Sequence, residues 1–272
     1  MKHVIIFTDL DGTLLDSAYS FEKALPALGF ITGKEIPLVL CSSKTRAEIE
    51  LYRKKLDNAH PFITENGGGI FIPKEYFVFD FKGCKTAQYN EYIVLALGAR
   101  YPDLRKVIED LRKQGFDIKG FGDMAAEEIA HVSGLTVEEA ELARQREFDE
   151  PFICHDKEDK MEKLFHSIQS KGFSFTRGRF HHILGDSDKG KAVRMLTSFY
   201  KKKHKDIVTI GIGDSLNDAP MLASVDLPIL VKKPDGTYDA DIHMPNLLKT
   251  DGIGPEGWNT IMLNLLRNNL KR

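Results

Sequence analysis

The sequence predicts an α/β protein: a doubly wound, Rossmann-like parallel sheet interrupted by an inserted α+β domain. Three observations carry this expectation. Apolar runs such as VIIF at 4–7, PLVLC at 37–41 and VTIGIG at 208–213 read as strands buried on both faces. Helical periodicity separates these runs with short connections, which implies a parallel sheet with right-handed crossovers. Between residues 82 and 186 this alternation breaks down into hairpin-like and short helical segments. The expected division is therefore a core domain from 1–81 and 187–272, with a second domain at 82–186.

The elements follow in order. After the strand at 4–8, a helix is expected within 20–29 and a second strand at 37–41. Thr45-Arg-Ala-Glu48 is a capping box that starts a helix with Ile49, Tyr52 and Leu56 on one face. FIT at 62–64 is a third strand, and GGGIFIP at 67–73 begins a small antiparallel addition. In the inserted part, YIVLALG at 92–98 is a strand, and 102–114 is a helix with Leu104, Val107, Ile108 and Leu111 at helical spacing. A second capping box, Thr136-Val-Glu-Glu139, opens a short helix. PFIC at 151–154, a helix over 157–171 and a hairpin at 173–184 turning at Arg177–Gly178 complete the insertion. Hinges are expected near 80–84 and 184–188, at Gly83 and Gly185. Asp188 then caps a helix, LPILV at 227–231 is another buried strand, and an amphipathic helix spans 254–266.

Composition narrows the function classes. The 272 residues are 42% hydrophobic and 29% charged, as in an ordinary globular protein long enough for two domains. A formal net charge of −2 gives no sign of a nucleic-acid or membrane surface. No apolar stretch approaches the ~18 residues of a membrane span, and no signal-type segment is expected ahead of the first strand. Cys41, Cys84 and Cys154 are odd in number and lack metal-type spacing, so they read as reduced thiols of a cytoplasmic protein.

Chemistry-bearing residues recur at strand ends and helix starts. Asp9 and Asp11 end the first strand, and a turn at Gly12 can aim both into one pocket. Two close carboxylates call for a cation, and hard oxygen ligands suit magnesium. Ser42 follows the second strand, Lys189 opens a helix, and Asp214 and Asp218 flank the turn GDSLND after the 208–213 strand. Alone, Lys189 reads more readily as a solvated surface lysine, and Asp-x-Asp equally as an acidic turn. Together they supply an attacking oxygen, charge neutralisation and positioning, the inventory of phosphoryl transfer.

The ordered set DLDGT, Ser, Lys and GDSxxD resembles the haloacid dehalogenase-like phosphatase superfamily, with 82–186 similar to its larger α+β cap. The resemblance implies that Asp9 forms an aspartyl-phosphate and Asp11 serves as acid and then base. It implies Mg2+ held by Asp9, the Asp11 carbonyl and Asp214. Ser42 and Lys189 are expected to grip phosphoryl oxygens, Asp218 to orient Lys189 or a metal-bound water, and Asn217 to reach the phosphoryl group.

Further blocks are similar to the mannosyl-3-phosphoglycerate phosphatase family: VLCSSKTRAEIE at 39–50, TENGGGIFIP at 64–73, REFDEPF at 146–152, GRFHHI at 178–183, GDSLNDAPML at 213–222 and GPEGW at 254–258. The implied substrate is a phosphorylated sugar-glycerate, 2-(α-D-mannosyl)-3-phosphoglycerate, converted to the compatible solute mannosylglycerate. Arg177 and Arg179 are then expected to contact its carboxylate. Of His181 and His182 only one can face the site, and His181 is assigned to substrate. Glu65 and Asn66 are assigned to sugar hydroxyls, although Asn66 can equally close the turn before Gly67. Lys44 is assigned to phosphate or to a helix face. A general sugar-phosphate phosphatase, a glucosyl-3-phosphoglycerate phosphatase and a phosphomutase remain open. A receiver-like phospho-switch uses a similar residue set in a different order, with its accepting aspartate after the third strand and no inserted domain.

Overall fold

The computed structural model describes residues 3–81, 84 and 86–269. The core is a five-stranded parallel sheet built from β1 (His3–Thr8), β2 (Leu38–Leu40), β11 (Ile207–Gly213), β12 (Leu227–Lys232) and β13 (Leu248–Ile253), ordered β13-β12-β11-β1-β2. Successive residues of β1 point to opposite faces. Ile6 joins a core with Ile212, Trp258 and Met262, whereas Ile5 and Phe7 join one with Val39, Leu230 and Tyr200. Helices cover both faces: α1 (Leu25–Gly33) and α9 (Gly254–Asn269) pack against each other, and α7 (Lys189–Lys203) packs on β11. α2 (Arg46–Lys55) starts at the expected box, with Thr45 accepting from the Glu48 N–H and Glu48 from the Thr45 N–H. The Trp258 indole is buried at no stability cost to its N–H, which donates to Thr8 Oγ1 at 3.1 Å.

β3 (Phe62–Thr64) and β4 (Gly69–Pro73) begin an antiparallel sheet beside the core, joined to it by a bridge between Cys41 and Ile63. This sheet continues with β5 (Thr86–Tyr89) and β6 (Tyr92–Ala96), ordered β3-β4-β6-β5. Residues 86–96, expected inside the insertion, thus extend this sheet: β6 pairs with β4, Ile72 facing Ile93 and Phe71 facing Val94, and β5 pairs with β6. An apolar run states that a strand needs a partner but not which one.

The cap proper starts with α3 (Tyr101–Lys113). It continues through β7 (Ile118–Gly120), α4 (Ala126–Ser133), α5 (Val137–Ala143), β8 (Asp149–Cys154), α6 (Glu158–Ser170), β9 (Ser174–Arg177) and β10 (His181–Leu184). Its antiparallel sheet is ordered β7-β8-β10-β9, and α3 and α6 bury Leu104, Ile108, Leu164 and Ile168 against Phe152 and Ile183. The chain passes between β6 and α3 at 97–100 and returns between β10 and α7 at 185–188. The two crossings touch: a Cβ at Gly185 would lie 2.4 Å from the Ala99 nitrogen. Gly83, the other expected hinge, lies outside the described residues. Among the described residues, no helix is long and apolar enough to cross a membrane, and the three cysteines are free.

Candidate active site

Parallel strands bring the acidic residues together. Thr8 of β1 lies opposite Ile212 of β11, and the Asp9 N–H donates to the Ile212 carbonyl at 2.9 Å, so Asp9 and Asp214 leave the sheet side by side. Gly12 completes the approach: its φ is +78°, and a Cβ there would meet Asp214 Oδ2 at 2.7 Å. Across the same edge, α7 begins at Lys189, after Asp188 accepts the Lys191 N–H at 2.7 Å. α8 (Ala219–Leu222) follows Asp218 directly and packs on α7.

The result is a buried charge cluster. Lys189 Nζ lies 2.6 Å from both Asp9 Oδ1 and Asp218 Oδ1. Asp218 Oδ2 accepts the N–H groups of Asp214 and Ser215 at 3.0 and 3.2 Å, so both of its oxygens are engaged. Oxygens of Asp9, Asp214 and Asp218 fall within 4.8 Å of one another. Burial and Asp218 raise the Asp9 carboxyl well above its usual range and push Asp214 up to about 7. Burial opposes the Lys189 charge, but Asp218 and Asp9 outweigh it and hold the ammonium charged. Three carboxylates against one ammonium leave negative charge unbalanced, in a set of hard oxygen donors. That composition fits a small divalent cation held by Asp9 and Asp214, whereas Asp218 is committed to Lys189.

Asp11 is the more exposed carboxylate, with Oδ2 3.1 Å from Lys44 Nζ. Lys44 also lies 3.3 Å from Glu48 and over the Tyr19 ring at 4.8 Å. Ser42 is fully buried and accepts the Lys44 N–H at 3.3 Å, whereas Ser43 and Lys44 line the cavity. That cavity, about 410 Å3, opens between core and cap; Asp9, Asp11, Asp214 and Asn217 face Arg179 and His182 across it.

Four expected substrate contacts lie elsewhere. Arg177, at the end of β9, is exposed and off the cavity wall. His181 stacks on Phe152 with Phe165 tilted against it, because its register puts it on the face of the cap sheet that packs on the helices. Glu65, fully buried, accepts the N–H groups of Glu147, Phe148 and Asp149 at 2.8–3.1 Å. It ties cap to core rather than reading a ligand. Burial and Asp149 push its carboxyl up to about 8, against the pull of Arg146. Asn66 is likewise buried, donating to Asp149 Oδ2 at 2.9 Å and accepting from Asn217 at 3.1 Å.

The structure adds three cavity residues that were not assigned to the site from sequence. His182 occupies the position expected for His181. Arg146 ion-pairs with Asp149 at 2.8 Å and donates to the Ser43 carbonyl at 2.7 Å. Tyr19 donates to the Ser133 carbonyl at 2.8 Å and accepts from Arg179 at 3.2 Å, bridging core and cap. Strand parity states that one of His181 and His182 faces the site but not which; nothing in the local sequence marks Tyr19.

A doubly wound core with aspartates at adjacent strand ends, a buried lysine and an inserted cap defines the class, and the chain belongs to the haloacid dehalogenase-like hydrolases: residues 6–236 match that family. It is 49% identical over 99% of both chains to a glucosyl-3-phosphoglycerate/mannosyl-3-phosphoglycerate phosphatase of Methanococcoides burtonii. It is 39% identical to a mannosyl-3-phosphoglycerate phosphatase of Pyrococcus furiosus, covering 84% of this chain and 90% of the relative. Within the hydrolases the chain thus falls in the mannosyl-3-phosphoglycerate phosphatase family. A haloacid dehalogenase-like hydrolase from B. subtilis shares the fold at a TM-score of 0.69 and 15% identity, covering 96% of this chain and 99% of its own.

Proposed function

We propose that the protein is a magnesium-dependent phosphatase that converts mannosyl-3-phosphoglycerate, and its glucosyl analogue, to the free sugar-glycerate. One observation carries the reading: a single cavity joins the Asp9–Asp11 edge to a cap guanidinium, Arg179, that has no carboxylate partner among the described residues. Lys44 and Arg146 on the same wall are already paired with acidic residues. Arg179 is therefore the cation free to receive the glycerate carboxylate while the phosphate meets Asp9.

In this reading Asp9 attacks phosphorus, the bond to the glycerate oxygen breaks, and Asp11 protonates that oxygen. Asp11 then takes a proton from the water that cleaves the aspartyl-phosphate and releases inorganic phosphate. Lys44, beside Asp11, holds that carboxyl in place. Lys189, oriented by Asp218, fixes the attacking carboxylate and balances charge on the phosphoryl oxygens, while the enclosed Ser42 holds the Lys44 N–H behind the cavity wall. Bound Mg2+ at Asp9, Asp214 and the Asp11 carbonyl supplies the charge neutralisation that lets a carboxylate approach a phosphate dianion. Asn217, on the cavity wall, is placed to meet the phosphoryl group. The 49% relative, named for both sugars, supports including the glucosyl ester. Free thiols at Cys41, Cys84 and Cys154 suit a reducing cytoplasm.

The test is phosphate release from mannosyl- and glucosyl-3-phosphoglycerate with Mg2+, set against simple hexose phosphates. Preference for the sugar-glycerates by at least about tenfold in kcat/KM supports the reading, a factor worth one well-made contact. Equal turnover of glucose 6-phosphate would leave only a general sugar phosphatase.

A further inference from the structure

His182 is buried in the cap sheet, yet one edge of its ring reaches the cavity. Its Nδ1 lies 3.0 Å from Asp149 Oδ2. Asp149 is fully enclosed and also accepts from Arg146 at 2.8 Å and from Asn66 at 2.9 Å. An ionised carboxylate only accepts, so Nδ1 must carry the proton and the tautomer is set. Nε2 meets no protein group among the described residues and is open to the cavity. In the neutral ring it is an acceptor. A hydroxyl, which donates and accepts, suits Nε2 in either protonation state of the ring, whereas phosphate and carboxylate oxygens do not suit the neutral one.

We propose that His182 is a specificity-determining residue that reads a hydroxyl of the substrate's sugar through Nε2, with Asp149 as the positioning residue behind it. The inference rests on the function proposed above and divides the cap's work: Arg179 takes the charged glycerate end, His182 the neutral sugar. Asp149 is held from the core as well, through Asn66, which bonds Asn217 beside the phosphate site. The imidazole is thereby registered against the reacting end before substrate arrives.

The experiment compares mannosyl-3-phosphoglycerate with p-nitrophenyl phosphate, which carries no sugar, in wild type, His182→Asn and His182→Gln. Asparagine keeps a donor at the Nδ1 position for Asp149 and removes the cavity-facing group. It should raise KM for the sugar ester about tenfold and leave kcat/KM on p-nitrophenyl phosphate within about twofold. Glutamine, whose amide reaches the Nε2 position, should recover part of the loss. Monodeoxy sugar esters tested on wild type do not depend on a variant folding: one of them must lose about tenfold, and that loss must vanish in His182→Asn. Parallel losses on both substrates, an unchanged KM for the sugar ester, or no sensitive deoxy ester would overturn the inference while the function stands. A wild type that does not hydrolyse the sugar ester would overturn the function, and this inference with it.

Discussion

Lys189 Nζ and Asp9 Oδ1 are 2.6 Å apart in a site from which the lysine is wholly sealed, and the same ammonium is shared at 2.6 Å with Asp218. One positive charge thus serves two carboxylates, with Asp214 close by. Asp9→Asn should abolish phosphate release by at least about a thousandfold, since an amide cannot form the acyl-phosphate. It also relieves like-charge repulsion and should stabilise the fold by about 1 kcal/mol in urea titrations. Retained turnover would remove Asp9 from the chemistry.

Lys189→Met leaves Asp9 and Asp218 buried without a counter-charge. The expected loss is about 3–5 kcal/mol of unfolding free energy without Mg2+. A change below 1 kcal/mol would mean the cluster is not as enclosed as the geometry states.

Removing Mg2+ with a chelator should stop turnover, and its binding should depend on pH. Without the ion, Asp214 titrates near 7, raised by burial and Asp218. Below that value a proton occupies the carboxyl and the ion must displace it. Apparent affinity should therefore weaken as pH falls through 7, and the raised carboxyl of Asp9, the other ligand, adds to the loss. Calorimetry at pH 6 and 8 measures this, and a flat profile would contradict it.

Arg179→Ala should raise KM for mannosyl-3-phosphoglycerate by about tenfold or more, the worth of a charge-assisted contact, with p-nitrophenyl phosphate little affected. Arg177→Ala, two residues away but off the cavity wall, should leave both substrates unchanged. Equal effects at 177 and 179 would deny the hairpin its selectivity.

Glu65→Ala orphans the three N–H groups of residues 147–149 that its carboxylate receives. A loss of about 2–5 kcal/mol is expected in denaturant titrations. A neutral result would mean that water replaces the carboxylate at this joint.

The contrast between these sites shows what a linear chain discloses. Asp9, Ser42, Lys189, Asp214 and Asp218 were legible because each ends a buried strand or opens a helix, and topology then places such ends together. His181 and His182 needed a register, fixed by pairing His182 with Pro151 and Thr176, that no local signal supplies. Glu65 misled because its φ of 47° turns the side chain under a loop 82 residues away in sequence. β13 escaped notice because Thr250 is the only fully inward residue of its six, so no apolar run announces it. β6 was legible as a strand but not as a partner of β4, and β5 was not read at all.

The side-by-side passage of the chain at Ala99 and Gly185 means that the cap enters and leaves through one doorway. Everything between those residues can be swapped for another module, or trimmed to a short turn, without rethreading the catalytic sheet. Selectivity is in that sense a detachable cassette, and the reaction stays behind with the core.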